Sequence, residues 1–334
     1  MKIYGTLGPA CSDTATLERM LRAGLSGMRL NLSHVSIVEA EPMITALHKA
    51  AEGCGVKAEL LMDMQGPELR IGALERDMPL SEGGRLLLGE GGVPVPEAVL
   101  PYLDEGQELL LDDGKICCRV EKKLPTGAEA LVLRGGVLRG RKSICLTGLS
   151  ITGPVLTPMD MENIRRAPQY GVTALMQPFV RGREELEAVR RALDANGGRH
   201  IRILAKIESM EGVENIESLI GACDEIIIAR GDLGNAVSLC RLPAVQKRLA
   251  AACRRAGRDF TVVTQLLASM EHSPVPTRAE VSDIFNAVLD GAASLMLTGE
   301  TAVGAHPAEA VELLVAVAEE AMKYMAAENG AVRG

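Results

Sequence analysis

Residues 201–234 run IRILAKIESMEGVENIESLIGACDEIIIARGDLG. The apolar run over 201–207 reads as a strand, the amphipathic stretch 213–221 as a helix, and the apolar run at 225–229 as a second strand. The same step recurs in both directions from here. Strands are predicted near 2–7, 27–32, 57–63, 174–179, 260–264 and 294–297, and helices near 14–23, 37–52, 160–170, 183–196, 243–256, 279–290 and 307–328. Ser12-Asp13 ahead of the first helix, and Pro243 and Pro307 near the starts of two others, are ordinary helix-start signals. Strand and helix alternate eight times, which predicts an α/β protein built as a closed parallel (β/α)8 TIM barrel.

One interval breaks the rhythm. Between Gly72 and Lys142 the chain turns to short β-like stretches separated by EGG, GEGG, DDG, PTG and RGG. Residues 72–142 are therefore expected to form a small β-rich domain inserted after the third strand, with 1–71 and 143–334 making the barrel. Loops at the C-terminal ends of barrel strands carry the active sites of this fold, so an insert there is placed to act as a lid.

Composition narrows the function. The chain has 334 residues, 47% of them apolar and 24% charged, enough to bury a substantial core. Aromatics are only 2%, tryptophan is absent and the net charge is −8, which argues against a nucleic-acid partner. The start, MKIYGTLGPA, lacks the pattern of a signal peptide, and the apolar runs fall far short of the roughly 20 residues that span a bilayer. No membrane association is expected. Eight cysteines are scattered without a C-x-x-C or a Cys/His cluster, so they read as small buried hydrophobes in a reducing cytoplasm.

Polar residues collect at the strand ends. Strand 2 closes on Arg29-Leu30-Asn31-Leu32-Ser33-His34, where period-two alternation puts Arg29, Asn31 and Ser33 on one face. Strand 3 ends at Asp63, ahead of Met64-Gln65 and the turn Gly66-Pro67-Glu68-Leu69-Arg70. Strand 5 gives Lys206-Ile207-Glu208, strand 6 gives Ala229-Arg230-Gly231-Asp232, strand 7 ends at Thr264-Gln265, and strand 8 runs into Thr298-Gly299-Glu300-Thr301. Each fragment alone has an ordinary structural reading: a K-x-E ion pair, a turn at R-G-D, a turn at D-D-G. Six strand ends carrying charged or hydroxyl groups together are different, because burying so many polar groups is costly unless they bind something. Glu208 and Asp232 are hard oxygen donors suited to Mg2+ or Mn2+. Arg29, Lys206 and Arg70 supply positive charge for a phosphate or carboxylate, and backbone N–H groups of the 231–234 turn add to it. Metal, lysine and arginine around one oxyanion is what phosphoryl transfer requires. There is no G-x-x-x-x-G-K-[ST] and no G-x-G-x-x-G after a strand, so neither a Walker-type nor a dinucleotide site is predicted.

Taken in order, TLGPAC at 6–11, MRLNLSH at 28–34, DMQGPELRIG at 63–72, LLDDGKI at 110–116, AKIESMEGVENIE at 205–217, IARGDLG at 228–234, TQLLASM at 264–270, PTRAEVSDIFNAVLDGA at 276–292 and LMLTGETAVGAHPAEAV at 295–311 resemble the pyruvate kinase family. The resemblance implies an enzyme converting phosphoenolpyruvate and ADP to pyruvate and ATP. It implies that Lys206 stabilises the phosphoryl group in flight and that Arg29 contacts it. Glu208 and Asp232 would ligate the divalent metal, and Thr264 would sit where the enolate is protonated. Asn31, Ser33, Asp63 and Met64 would hold K+, with Glu68 the acidic residue that accompanies K+ dependence. Residues Ala229, Arg230, Gly231 and Asp232 would cradle the substrate carboxylate, and Arg29, Asn31, His34, Arg70 and Lys142 would serve the nucleotide. A homo-oligomer through barrel surfaces is compatible with it.

The sequence also departs from the family pattern. Met64, Gln65 and Ile71 interrupt a usual D-T-K-G-P-E-I-R-T-G, Val35 replaces a glycine after the histidine, and 141–146 keep Lys142 but lose an asparagine. Loss of the lysine at Gln65 removes a positive charge that would contribute roughly 1–3 kcal/mol if it contacted phosphate. These changes cluster on the cation, lid and nucleotide side and spare the metal and phosphoryl centre. The insert reads as shorter than usual, a helix often found ahead of the barrel is missing, and the chain stops where members continue into a C-terminal domain, so sugar-phosphate control is not expected. Two other readings share the same core: a metal-dependent lyase or aldolase acting on a 2-oxo acid, and a non-catalytic paralogue that binds phosphoenolpyruvate. The last would be marked by loss of Lys206 or a metal carboxylate, and both are present.

Overall fold

The computed structural model describes residues 1–331 apart from 34, 113, 150, 152 and 153, with side chains through 328. Two compact units emerge: Met1–Gln65, Leu156–Leu233 and Leu239–Gly334 in one, Gly66–Val155 and Gly234–Ser238 in the other.

The first unit is a closed barrel. Its strands, numbered in chain order, are β1 (Lys2–Thr6), β2 (Gly27–Asn31), β3 (Glu59–Asp63), β4 (Ala174–Gln177), β5 (Arg202–Ile207), β6 (Glu225–Ala229), β7 (Phe260–Val263) and β8 (Ser294–Met296). Each pairs in parallel with its sequence neighbours, and β1 pairs with β8 through Lys2 opposite Ser294. Tyr4, Leu61, Ala174, Met176, Leu204, Ile227, Ala229, Val263 and Met296 form one buried cluster contributed by seven strands, which makes the barrel interior a packed core rather than a pore. Gly27 opens β2 where a Cβ would lie 2.3 Å from the Glu59 carbonyl oxygen, so only glycine fits that approach.

The helices are α1 (Thr14–Arg22), α2 (Glu41–Cys54), α3 (Pro158–Arg166), α4 (Arg183–Ala195), α5 (Met210–Glu214), α6 (Ile216–Ile220), α7 (Arg230–Ala236), α8 (Leu242–Arg255), α9 (Arg278–Leu289), α10 (Gly299–Ala302) and α11 (Pro307–Ala331). Several depart from the sequence reading. Helix α2 begins at Glu41 rather than near 37, because Pro42 is tolerated in the first turn and would break the ladder any deeper. Helix α3 is predicted over 160–170 and runs Pro158–Arg166: Thr157 and Asp160 form a capping box at its start, and Pro168 stops it. The single helix expected over 213–221 is two short ones meeting at Asn215. Among the described residues no helix is long and apolar enough to cross a membrane.

The second unit is β-rich. Strands 144–146, 108–111, 116–124, 127–134 and 85–89 form one antiparallel sheet in that order, and 78–80 pairs with 136–138. It has its own core, including Leu88, Leu109, Leu111, Val120, Ala130 and Leu146.

Candidate active site

Parallel pairing sets the strand ends side by side. Thr6 lies opposite Arg29, and Asn31 lies opposite Asp63. Arg29 donates through Nε to Asp63 Oδ2 at 2.7 Å, with Nη2 at 2.6 Å from the same oxygen, and Nη1 reaches Thr6 Oγ1 at 3.3 Å. Lys206 arrives from β5, with Nζ 3.3 Å from Asp63 Oδ1 and 3.0 Å from Glu208 Oε1. Asp63 Oδ1 accepts no hydrogen bond although it is buried; the ammonium is close to it without hydrogen-bond geometry. Burial works to lower the Lys206 pKa, but the carboxylates of Asp63 and Glu208 outweigh it and, with Asp232 adding to them, hold the ammonium above the ordinary lysine range. The cluster thus favours the charged form of Lys206.

The backbone around this cluster is unusual. Phe179, just past β4, has φ 50° and donates its N–H to Glu208 Oε2 at 2.8 Å. Thr264 and Gln265, just past β7, have φ 79° and 55°. A β-branched residue in left-handed backbone persists only where the surroundings over-determine it, and such positions gather at functional sites. The surroundings at Thr264 are clear: Arg230 donates to its carbonyl from Nε at 3.2 Å and Nη2 at 2.7 Å, while Nη1 pairs with Asp283 at 2.5 Å. The Arg230 guanidinium is thus committed to the protein. Asp232 lies half-buried in α7, which starts directly from β6 where a turn was expected.

The remaining predicted site residues distribute as follows. Asn31 accepts the Ser33 N–H at 3.1 Å, and Met64 is buried with its N–H on the Met176 carbonyl at 3.1 Å. Arg70 and Lys142 belong to the second unit and pair within it, Arg70 with Glu68 at 2.5 Å and Lys142 with Asp112 at 2.8 Å. His34 lies outside the described residues. The structure therefore brings Arg29, Asp63, Lys206 and Glu208 into one cluster within electrostatic reach of Asp232.

The donor chemistry fits cations. Glu208 and Asp232 are carboxylates of the hard type that divalent ions take, and among the described residues no three His, Cys, Asp or Glu converge as a closed cage. Two protein carboxylates leave room for substrate oxygens and water, the usual arrangement for Mg2+. Asp63 Oδ1, beside Asn31 on the paired strand and accepting no hydrogen bond, offers oxygen toward a further cation. The cysteines fit less well with the sequence reading. None of the eight forms a disulfide, but only Cys11, Cys118, Cys223 and Cys253 are buried, and Cys145 and Cys240 are exposed.

Sequence reasoning missed two groups. Asp160 and Asn163 on α3 bind backbone beside the site: Gln65 donates its N–H to Asp160 Oδ1, and Ile37 donates to Asn163 Oδ1, both at 3.0 Å. The signal for Asp160 was available as the capping pattern Thr157-x-x-Asp160. Also missed were the charges that begin the strands, Lys2, Glu59, Arg202 and Glu225, which interlock at the opposite end of the barrel.

Comparison with known proteins bears on all of this. The family model described as "Pyruvate kinase, barrel domain" matches residues 1–311. A pyruvate kinase from Aeropyrum pernix is 38% identical over 329 residues, covering 98% of this chain and 72% of that protein. One from Chlamydia pneumoniae is 35% identical over 337 residues, covering 98% and 70%. One from Geobacillus stearothermophilus is 35% identical over 337 residues, covering 97% and 57%.

Proposed function

The chain belongs to the pyruvate kinase family, and on that premise we propose that it passes the phosphoryl group of phosphoenolpyruvate to ADP, giving pyruvate and ATP. It is an enzyme, a phosphotransferase of the pyruvate kinase type. The observation that carries the substrate reading is the contact set of Lys206 with Asp63 and Glu208, and of Arg29 with Asp63, at the ends of β2, β3 and β5. The lyase and non-catalytic readings are not favoured, since the relatives are pyruvate kinases and Lys206, Glu208 and Asp232 are all retained.

In this reading Lys206, as a cation, meets the charge on the phosphoryl oxygens as the group moves, and Arg29 orients it from β2. The family depends on a divalent metal. Glu208 and Asp232 would hold it, as Mg2+ or Mn2+, and it supplies positive charge against phosphate and enolate oxygens when bound. Asn31, Ser33, Asp63 and Met64 would hold K+. Backbone N–H groups at 229–232 bind the substrate carboxylate. Thr264, fixed by Arg230, orients a water toward the carbon that takes the proton. Arg29, Asn31, His34, Arg70 and Lys142 are the residues proposed for the nucleotide phosphates. Eight cysteines without a disulfide among them fit a cytoplasmic setting.

Pyruvate release from phosphoenolpyruvate, with and without ADP, in Mg2+ or Mn2+ and in K+ against Na+, tests the proposal. ADP- and metal-dependent turnover is expected, faster in K+. Metal-dependent oxalate binding without any turnover would overturn it and point to a barrel that keeps the enolate site alone.

A further inference from the structure

Helix α3 turns two polar side chains inward one turn apart. Asp160 and Asn163 are 0% and 1% exposed, and at i and i+3 they share a face. A buried carboxylate is costly unless hydrogen bonds satisfy it. Each Asp160 oxygen accepts a backbone N–H: Oδ2 takes that of Thr157 at 2.8 Å, and Oδ1 takes that of Gln65 at 3.0 Å. A capping box needs only the first of these. The second reaches outside the helix, to the backbone two residues past Asp63. Asn163 does the same for another loop, accepting the N–H of buried Ile37 at 3.0 Å in the segment that follows β2. These two loops leave the strands that carry Arg29, Asn31 and Asp63, and they are tied to each other by the Leu32 N–H on the Asp63 carbonyl at 3.0 Å.

We propose that Asp160 and Asn163 are positioning residues for the reaction: from one face of α3 they hold the backbone past β3 and past β2, and through it set Asp63 against Arg29 and Lys206. This rests on the phosphotransfer reading for its catalytic consequence, though the clamp itself does not. It also accounts for Gln65. What α3 engages there is a backbone N–H, which every residue except proline has, so the side chain at 65 is free to differ without loosening the strand end.

The test uses the whole chain and four variants. Asp160→Asn keeps the size but presents one acceptor oxygen where two N–H groups converge. Amide exchange at Gln65 should accelerate at least tenfold in the ligand-free protein, and kcat should fall by about tenfold or more with KM for phosphoenolpyruvate within about threefold. Asn163→Leu should speed exchange at Ile37 and lower kcat, and Asn163→Gln, which keeps a neutral amide acceptor, should change both by less. Thr157→Ala weakens the same helix start without touching the Gln65 contact, so it should lower Tm while leaving kcat and Gln65 exchange within about twofold. Equal kcat losses in Thr157→Ala and Asp160→Asn, or wild-type kcat in Asp160→Asn, would overturn the proposal, as would Asn163→Gln losing as much as Asn163→Leu. Should the wild type not turn over phosphoenolpyruvate, the functional reading fails, while exchange at Gln65 and Ile37 still decides whether the clamp exists.

Discussion

At the N-terminal end of the barrel Glu59 and Glu225 face Lys2 and Arg202; at the C-terminal end Asp63, Glu208 and Asp232 face Arg29 and Lys206. The N-terminal set is balanced and complete. Glu59 accepts from Lys2 at 2.5 Å, from the Tyr4 hydroxyl at 3.1 Å and from Arg202; Glu225 accepts from Arg202 at 3.2 Å, from Ser294 at 2.8 Å and from Thr261. Every carboxylate oxygen there has a partner, and burial, with Glu59 beside it, lifts the Tyr4 hydroxyl above the ordinary tyrosine range so that it stays a donor. The C-terminal set carries three carboxylates against two cations, and Asp63 Oδ1 in it is buried without accepting a hydrogen bond. A polar network that satisfies itself stabilises one structure, whereas one left with excess charge is completed by what it binds. Similar residue types thus serve stability at one end and chemistry at the other.

Substitutions can break this contrast. Lys206→Met should have the largest effect, lowering the rate of pyruvate release by about a thousandfold or more through loss of charge on the phosphoryl oxygens; substantial turnover in the folded variant would remove Lys206 from the chemistry. Asp232→Ala should raise the metal concentration for half-maximal rate at least about tenfold, since one of two carboxylate donors goes; a metal titration checks it. At the other end Glu225→Gln should cost about 2–4 kcal/mol of stability in a denaturant titration while kcat stays within about twofold, because a satisfied buried acceptor is disrupted far from substrate. A matching loss of kcat would show that the two ends are coupled.

The smallest expected effect concerns pH. Burial works to raise the Glu59 pKa, but Lys2 and Arg202 outweigh it and leave the group below the ordinary glutamate value. A depressed folded-state pKa adds stability above the unfolded value of roughly 4.3, and that stability is lost as pH falls through the folded one. Thermal melts between pH 6 and 3 should therefore show a decline that Glu59→Gln flattens. An unchanged pH profile in that variant would place the acid sensitivity elsewhere.

Much of this was legible along the chain. All eight barrel strands fall where apolar runs predicted them, because a buried parallel strand must be apolar almost throughout. The polar residues that end those strands also stand out, since Arg29, Asp63, Lys206 and Glu208 interrupt runs that are otherwise hydrophobic. Periodicity misplaced the start of α2 and the end of α3 because it weighs apolar spacing and overlooks proline. It passed over Arg202 and Glu225 because a single charge at the start of a strand resembles ordinary solvent exposure. The sequence by itself determined the strands, their order and the residue types at each strand end, which depend on local pattern. Only the tertiary structure decided which carboxylate meets which cation, that Arg230 grips Thr264, and that α3 reaches Gln65 and Ile37. Those contacts join residues up to 143 positions apart, and no local pattern encodes a partner that closure of the barrel brings near.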